Sequence, residues 1–326
     1  MKILVVRFSS IGDIVLTTPI VRCLKQQLPG CEVHFLTKKS FYGIVEHNPN
    51  IDKIHTISKS IIEIINSLKE EKFDCIIDLH NNIRTKSLSF RLRVPTTRFP
   101  KLNILKWLFV QFKINKLPTI HIVDRYFEAV KHLKVVNDQL PCDYFIATHD
   151  EVDTNTQFGL LPHQYSAFAI GAQFATKRLP ENKLRELCES VSSPLVLLGG
   201  KDDATMGDKL SGSYGHVINL CGKLSLSQSA SVVKQARVVI SHDTGLMHIA
   251  SAFEKPIVSI WGNTTPALGM YPYMPTKSML FSMHEVPNLG CRPCSKIGFN
   301  TCPKKHFSCM QLQDMKKVAR DVERFG

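Results

Sequence analysis

The sequence lacks the two glycine-rich signatures that mark common nucleotide-binding α/β proteins. No G-x-G-x-x-G follows a predicted strand, and no G-x-x-x-x-G-K-[ST] is present. These absences disfavour a dinucleotide-dependent oxidoreductase and a P-loop NTPase. The chain also has no apolar run long enough to cross a bilayer. Arg7 and Asp13 interrupt the first apolar segment and no small-residue cleavage site follows it, so we expect a cytoplasmic protein without a secretory signal.

Acidic residues are scarce. The chain has 28 Asp and Glu against 41 Lys and Arg, which gives a formal net charge of +13 over 326 residues. This excess indicates a polyanionic partner, which is nucleic acid, an anionic membrane surface or a phosphorylated substrate. In the compartment that we expect, the ten cysteines are reduced thiols or metal ligands rather than disulfides.

One stretch has no acidic residue at all. Between His80 and Val123 there are nine Lys or Arg and no Asp or Glu, and the apolar run 102–112 lies within this stretch. Cations beside aromatic and aliphatic side chains suit an anionic membrane surface. Nucleic acid is the rival partner, since it also attracts cations and stacking groups. The alternative is that 102–112 packs in the core and the cations form a solvated face.

The pattern along the chain predicts an α/β protein with two Rossmann-like halves. Short apolar runs alternate with helical periodicity, which is typical of parallel, doubly wound sheets. We assign residues 1–150 to an N-terminal domain and residues 151–326 to a C-terminal domain, with a cleft between them. The last helix, from about Gln311, is a candidate to cross back to the N-terminal domain. The predicted strands are 2–6, 32–37, 52–57, 73–79, 166–171, 194–200, 216–222, 236–241 and 255–262.

The first polar turn is RFSSIGDIVLTTP, Arg7 to Pro19, directly after the first strand. Gly12 permits a tight turn or close approach of a ligand, and Ser10 can meet an anion. Asp13 stands near the start of a helix, where a carboxylate can accept a proton from a hydroxyl nucleophile. The alternative is that Asp13 caps the helix and compensates its dipole.

Two loops of the second half carry the elements of a diphosphate site. Asp243, Thr244 and Gly245 form a turn between a strand and a helix, whose first amides can bind an anion. Lys177 follows an earlier strand of the same half and can neutralise a phosphate. The alternatives are a helix cap at Asp243 or Thr244 and a solvated lysine. His248, one turn into the helix, is by itself more typical of a packed histidine than of a catalyst.

A cysteine cluster follows near the C-terminus. The spacing is C-x2-C-x7-C-x6-C, with a histidine inside it, and four thiolates would suit a structural zinc. The spacing is not one of the common zinc patterns, and reduced, packed thiols are the competing interpretation. The four cysteines are weak candidates for metal ligands: Cys291, Cys294, Cys302 and Cys309.

Three segments resemble one known family, in the same order along the chain. They are MKILVVRFSSIGDIVLTTPIV, ATKRLP and SHDTGLMHIASAFEKPIVSIWGNTTP. They are similar to the motifs of the glycosyltransferase family 9 proteins, the ADP-heptose:lipopolysaccharide heptosyltransferases. The resemblance implies a GT-B fold, with an acceptor-binding N-terminal domain and a nucleotide-sugar-binding C-terminal domain. It also implies an inverting, metal-independent transfer of heptose without a cofactor.

The resemblance assigns roles to individual residues. Asp13 falls on the family's general base. Acceptor-side residues are Ser10, Gly12, Arg84 and Lys86, where core phosphates or Kdo carboxylates would bind. The donor-side residues are Thr176, Lys177, Leu224 (near the adenine), Asp243, Thr244, Gly245 and His248.

The implied partners are an ADP-sugar donor, a lipid A–core acceptor and the anionic inner-membrane surface, with no nucleic acid. The implied location is peripheral, on the inner face of the inner membrane. One alternative keeps the GT-B transferase but changes the nucleotide sugar or the glycan acceptor. An alternative of another class is a basic nucleic-acid-binding protein. Asp13 in the first turn argues against it, because binding to a phosphate backbone requires cations.

Overall fold

The computed structural model describes residues 1–325 and separates the chain into two compact units. The first unit comprises Met1–Lys101 and Ile120–Phe145, and the second comprises Leu102–Thr119 and the chain from Ile146 onward. The segment Leu102–Thr119 therefore groups with the second unit, although the sequence analysis places it in the N-terminal domain. Each unit is built on one parallel sheet.

The first unit contains a five-stranded parallel sheet. Its strand order is β3-β2-β1-β4-β5, so β1 pairs with both β2 and β4. The residues Ile3 to Val6 have no exposed surface, as expected for a parallel strand covered on both faces. The strands are β1 Lys2–Val6, β2 Glu32–Lys38, β3 Lys53–Ile57, β4 Cys75–Asp78 and β5 Thr96–Arg98.

The second unit contains a six-stranded parallel sheet with the order β11-β10-β9-β6-β7-β8. The five strands predicted for this half are confirmed, and the sequence analysis missed the edge strand β11. That strand mixes polar and apolar residues and lies partly exposed, so it has no buried apolar run to mark it. The strands are β6 Ser166–Ala169, β7 Leu195–Leu198, β8 Val217–Asn219, β9 Val238–His242, β10 Ile257–Trp261 and β11 Phe281–Glu285.

The helices follow the strands as the alternating pattern predicts. Pro19 stands at the start of the second of two helices that follow β1. A proline is well tolerated there because the first amides of a helix have no intrahelical partner. The helices are α1 Ile11–Val15, α2 Thr18–Gln27, α3 Ile65–Glu70, α4 Ile83–Leu92, α5 Asn103–Phe112, α6 Ile122–Phe127, α7 Thr154–Phe158, α8 Glu181–Ser190, α9 Ala204–Ser213, α10 Leu226–Gln235, α11 Gly245–Ala252, α12 Ser308–Gln311 and α13 Met315–Arg324.

The last helix packs in the core of the second unit. Met315, Val318 and Val322 of α13 are fully buried in the core that α8 and β9 also form. These residues recur every three or four positions, which aligns them on one face of the helix. The charged residues that suggested a separate helix occupy its solvent face.

Candidate active site

In the first unit, the turn after β1 holds a carboxylate in a fixed position. The Oδ2 atom of Asp13 accepts hydrogen bonds from the Ser10 hydroxyl at 2.7 Å and from the Ser10 amide at 3.2 Å. Its Oδ1 atom forms an ion pair with the guanidinium of Arg7. Asp13 thus contributes to capping α1, as one interpretation predicts, while 21% of its side chain stays exposed. A carboxylate oxygen has lone pairs for a second donor, so an incoming hydroxyl can still bond to it.

Arg7 fixes this carboxylate and was not singled out by the sequence analysis. Its guanidinium is buried and donates to the carbonyl oxygens of Ser9 at 2.8 Å and Leu79 at 2.5 Å. The ring of Tyr126 lies 6.0 Å from the guanidinium, and burial raises the pKa of that phenol to about 12. Because its partners are backbone atoms of two strand ends, Arg7 holds Asp13 relative to the sheet itself.

The neighbouring strand end brings a neutral histidine and an arginine to the same turn. His80 follows β4, and its ring centroid lies 5.1 Å from that of Phe8. Burial and the charges of Arg7 and Lys101 lower the pKa of His80 to about 3, so its imidazole is uncharged at neutral pH. Arg84, on α4, lies exposed with its guanidinium 6.0 Å from the Phe8 ring.

The other two predicted acceptor-side residues differ in exposure. Lys86 is exposed two positions after Arg84, and residues so spaced project from different sides of a helix. Gly12 is buried in the first turn of α1. Of the predicted acceptor-side cations, Arg84 is the one that the structure brings beside the turn after β1.

In the second unit, two predicted loops meet through an ion pair. The ammonium of Lys177 donates to Oδ2 of Asp243 at 2.6 Å and to its backbone oxygen at 3.2 Å. The hydroxyl of Thr264, in the loop after β10, donates to the same Oδ2 atom at 2.9 Å. The Lys177 and Asp243 side chains are 16% and 13% exposed, so water screens their pairing only partly. The carboxylate of Asp243 therefore fixes the position of Lys177.

The helix that follows Asp243 begins without a side-chain cap. Thr244 occupies the N-cap position of α11, but its side chain makes no capping hydrogen bond. Its hydroxyl instead lies 3.1 Å from the Ser241 hydroxyl. The first amides of α11, from Gly245 onward, are therefore left for another acceptor. An anion is the partner that these amides and the helix dipole favour.

Two histidines flank this turn and both are buried. The Nε2 atom of His242, at the end of β9, accepts a hydrogen bond from the Leu179 amide at 3.1 Å. Burial and the charge of Arg178 lower the pKa of His242 to about 3. His248 lies buried in α11, where it was predicted to be a packed residue or a member of the donor motif.

The remaining predicted donor residues have structural contacts of their own. The hydroxyl of Thr176 donates to the Phe299 oxygen at 3.0 Å and accepts from the Phe299 amide at 2.8 Å. Leu224 is half-buried against the core of the second unit. Thr176 thus ties the loop after β6 to the cysteine-containing segment, which the sequence analysis did not foresee.

The cysteine-containing segment 291–302 contacts the loop after β6 through Thr176 and the loop after β10. The guanidinium of Arg292 donates to the carbonyl oxygens of Gly262 at 2.5 Å and Thr264 at 2.8 Å, which fixes the loop after β10. The Cys294 amide donates to the Asn263 oxygen at 3.0 Å. Arg292 is the main supporting residue that sequence patterns missed, since its partners lie about thirty positions away and carry no motif.

The four thiols do not form a metal-ligand group among residues 1–325. Burial raises the pKa of Cys294 to about 11 and that of Cys309 to about 12. The one group of convergent ligand atoms in the described residues is His34, His55 and Glu71, whose ligand atoms lie within 4.8 Å of one another.

That group already has protein partners. Lys53 and Lys2 lie 2.5 and 3.2 Å from the Glu71 carboxylate, and the facing nitrogens of His34 and His55 are 2.9 Å apart. These contacts compensate the carboxylate charge. Both ring nitrogens of His34 are occupied, because its Nε2 atom also lies 2.7 Å from Oε1 of Glu32. We therefore assign the group as a hydrogen-bonded network rather than as a metal site.

The chain that contains these turns matches a known protein family. The family model described as Glycosyltransferase family 9 (heptosyltransferase) matches residues 61–297, well over half of the chain. The chain belongs to glycosyltransferase family 9. It is therefore a glycosyltransferase enzyme, as the resemblance of its motifs implies.

Related proteins of this family cover most of the chain. Lipooligosaccharide heptosyltransferase 2 of Haemophilus ducreyi is 27% identical over 82% of this chain and 85% of its own length. A family 9 glycosyltransferase structure from Veillonella parvula covers 99% of this chain and 96% of its own, at 22% identity and a TM-score of 0.78. The structure of the E. coli heptosyltransferase WaaC with ADP covers 82% and 89%, at 25% identity and a TM-score of 0.65.

These similarities confirm the predicted GT-B fold class of this family 9 transferase, with its two parallel-sheet α/β domains. Among the described residues, no helix combines the length and the apolar character needed to span a bilayer.

Proposed function

We propose that this family 9 glycosyltransferase transfers heptose from ADP-heptose to the inner core of lipopolysaccharide. The observation that carries the proposal is Lys177, held by Asp243 beside the uncapped start of α11. The names of the relatives support the sugar and the acceptor, and the E. coli relative was solved with ADP. The donor is thus an ADP-sugar whose diphosphate meets a lysine and helix amides.

The donor site supplies leaving-group stabilisation without a divalent cation. When the bond from the anomeric carbon to the diphosphate breaks, negative charge develops on the departing ADP. The ammonium of Lys177 and the first amides of α11 are preorganised for that charge. Asp243 acts as the positioning residue, because its carboxylate holds the ammonium of Lys177 in place. Lys177 in turn neutralises this carboxylate, which would otherwise repel the diphosphate.

In the acceptor domain, Asp13 serves as the general base. The acceptor hydroxyl gives its proton to Asp13 as its oxygen bonds to the anomeric carbon, and ADP leaves from the opposite face. The products are a heptoside of inverted configuration, ADP and a protonated Asp13 that returns its proton to water. Arg7 orients the carboxylate, while Arg84 and Lys86 attract the phosphates or carboxylates of the acceptor.

The acceptor is the lipid A–core, so the enzyme works at the cytoplasmic face of the inner membrane, as a peripheral protein. The net charge of +13 supports this location, because the membrane surface and the acceptor are both anionic.

A transfer assay tests the proposal. The purified enzyme is incubated with ADP-heptose and a Kdo-lipid A acceptor, with and without EDTA, and the product is analysed by mass spectrometry and NMR. We expect one added heptose of inverted anomeric configuration, at the same rate with EDTA. A retained configuration, or loss of activity with EDTA, contradicts the mechanism.

Calorimetry with ADP-heptose, ADP and UDP-glucose tests the donor. We expect tighter binding of the two ADP ligands than of UDP-glucose. Preference for UDP-glucose would favour the transferase with a different nucleotide sugar. Absence of nucleotide-sugar binding, together with tight binding of an oligonucleotide, would favour the nucleic-acid-binding alternative.

A further inference from the structure

The helix α5 is apolar but not buried. Seven of its ten residues are apolar, in the sequence NILKWLFVQF, and none of the ten is buried. A helix with apolar residues around most of its circumference is normally enclosed by protein or lipid. The structure excludes the sequence-based alternative that 102–112 packs in the core, so this helix lacks the cover that its composition requires.

The exposed side chains are large. Ile104, Trp107 and Phe112 are 75%, 52% and 58% exposed, and the rings of Trp107 and Phe112 meet edge to face at 5.3 Å. Ile114, just beyond the helix, is 47% exposed. Isolated exposed apolar residues are normal on a protein surface, but a group of this size marks an interaction site.

The other side of α5 is attached to its own unit. The Lys113 ammonium donates to the Pro293 oxygen at 2.8 Å, and Trp107 and Val110 line a cavity of about 200 Å³ with Cys294 and Phe299. The helix is therefore held against the cysteine-containing segment. Its apolar residues are presented on a supported element rather than on a loose loop.

The charged residues of the segment that carries α5 have one sign. Residues 102–119 contain the lysines Lys106, Lys113 and Lys116 and no acidic residue.

We propose that α5 is a membrane-docking helix, whose exposed residues Ile104, Trp107 and Phe112 enter the interface of an anionic bilayer. The exposed Lys116 binds a lipid phosphate, and these phosphates lie at the depth where tryptophan is also favoured. The inference deepens the proposed function and rests on it for the choice of a lipid surface, because the proposed acceptor is itself lipid-linked.

Two other partners fit the surface less well. Nucleic acid binds through cations and stacked aromatic rings, whereas much of the exposed surface here is aliphatic, from Ile104 and Ile114. A second copy across a two-fold axis would bring the same lysines together with no acid on the segment to pair them. An anionic bilayer satisfies both the apolar and the cationic features.

Tryptophan fluorescence of the full chain tests the inference. The chain has two tryptophans, and Trp261 is only 1% exposed, so a change on adding vesicles reports on Trp107. With phosphatidylglycerol–phosphatidylethanolamine vesicles we expect a blue shift, and quenching by brominated acyl chains. Phosphatidylcholine vesicles should produce neither change, and Trp107→Phe should abolish the signal.

Vesicle co-sedimentation of charge-inserting variants provides the second measurement. The double variant Ile104→Glu, Phe112→Glu should bind anionic vesicles about tenfold more weakly or worse. The two charged side chains no longer bury apolar surface in the bilayer interface. The matched control, Ile62→Glu with Met279→Glu, changes residues that are 67% and 78% exposed elsewhere and should bind as the wild type does.

Three outcomes overturn the inference. They are no fluorescence change with anionic vesicles, equal loss of binding in the control variant, and an α5-dependent blue shift with an oligonucleotide or on self-association without lipid. Calorimetry with ADP on the same samples separates the two proposals. Protein that binds ADP but not vesicles overturns the docking helix alone, whereas protein that binds vesicles but not ADP overturns the proposed function.

Discussion

The turn after β1 and the turn after β9 use similar residues in different ways. Each follows an interior strand of a parallel sheet, leads into a helix and contains an aspartate in an ion pair. In the first turn, Asp13 bonds to Ser10 of its own helix start. In the second turn, the carboxylate of Asp243 binds Lys177 from another loop, and α11 begins without a side-chain cap.

This difference suits the first turn to accepting a proton and the second turn to binding an anion. A helix start that its own aspartate caps has less capacity for an added anion, and its exposed carboxylate can receive a proton. An uncapped helix start with a fixed lysine beside it offers donors and positive charge to a phosphate. In the proposed function, the first turn therefore carries the chemistry and the second turn binds the donor.

Replacing the first aspartate should have the largest effect. Asp13→Asn keeps the shape of the side chain but removes its basicity, so turnover should fall by about 10³-fold, within the range of general-base catalysis. The measurement is the initial rate of heptose transfer at saturating donor. Glu70→Gln, which removes an exposed carboxylate from α3, is the control and should keep the wild-type rate. Wild-type turnover in Asp13→Asn would contradict the general-base role and leave Asp13 with a capping role alone.

Removing the lysine of the second turn should weaken the donor complex. Lys177→Ala deletes a charge-assisted hydrogen bond to the diphosphate, so the affinity for ADP should fall by about ten- to a hundredfold. Calorimetry measures this change, and Lys209→Ala, which removes a half-exposed surface lysine, serves as the control. Equal affinities of the two variants would show that Lys177 is bound to Asp243 and not to the donor.

The free energy of unfolding should fall in acid, because His80 and His242 are both neutral in the folded protein. The pKa of His242 is about 3 in the fold and about 6.5 in the unfolded chain, so the unfolded state binds more protons below pH 6.5. Its contribution to stability is therefore complete above pH 6.5 and is lost as the pH falls, by about 2 kcal/mol at pH 5. Urea unfolding at pH 7 and pH 5 measures the loss, which His242→Gln should remove.

His80 sharpens the comparison because it lies beside the first turn with a similar pKa of about 3. It is not fully buried, so His80→Gln should remove less of the acid-dependent loss than His242→Gln does. Identical acid dependence of the wild type and both variants would contradict the neutral state of these rings.

The smallest effect concerns the helix caps. The hydroxyl of Ser225 accepts a hydrogen bond from the Gln228 amide and caps α10, so Ser225→Ala should cost about 1 kcal/mol. Thr244→Ala should cost about 0.5 kcal/mol or less, because within residues 1–325 the Thr244 hydroxyl bonds only to that of Ser241. Urea midpoints of the two variants compare these costs. A larger loss in Thr244→Ala would contradict the uncapped start of α11.

The sequence predicts those features that depend on local pattern. Strands such as β1 and β4 are marked by apolar runs, because parallel strands are buried on both faces. Asp13, Lys177 and Asp243 were singled out because ligand sites of parallel sheets lie beyond the carboxyl ends of such strands, and their functional roles stay predictions. The edge strand β11 was missed because its solvent-accessible residues do not follow this pattern.

Contacts between distant residues could not be predicted in this way. The ion pair of Lys177 and Asp243 joins positions 66 apart, and no spacing rule relates them. The contacts of the cysteine-containing segment to the loops after β6 and β10 are of the same kind. They use the Cys294 and Phe299 backbones and the guanidinium of Arg292, none of which has a sequence signature.

The contrast between the two aspartates is tested most directly by calorimetry with ADP on Asp13→Asn and Asp243→Asn. We predict that Asp13→Asn binds ADP as the wild type does. Asp243→Asn should bind it about tenfold more weakly, because Lys177 loses the carboxylate that positions it. Unchanged or tighter binding by Asp243→Asn, or weakened binding by Asp13→Asn, would contradict the roles assigned to the two turns.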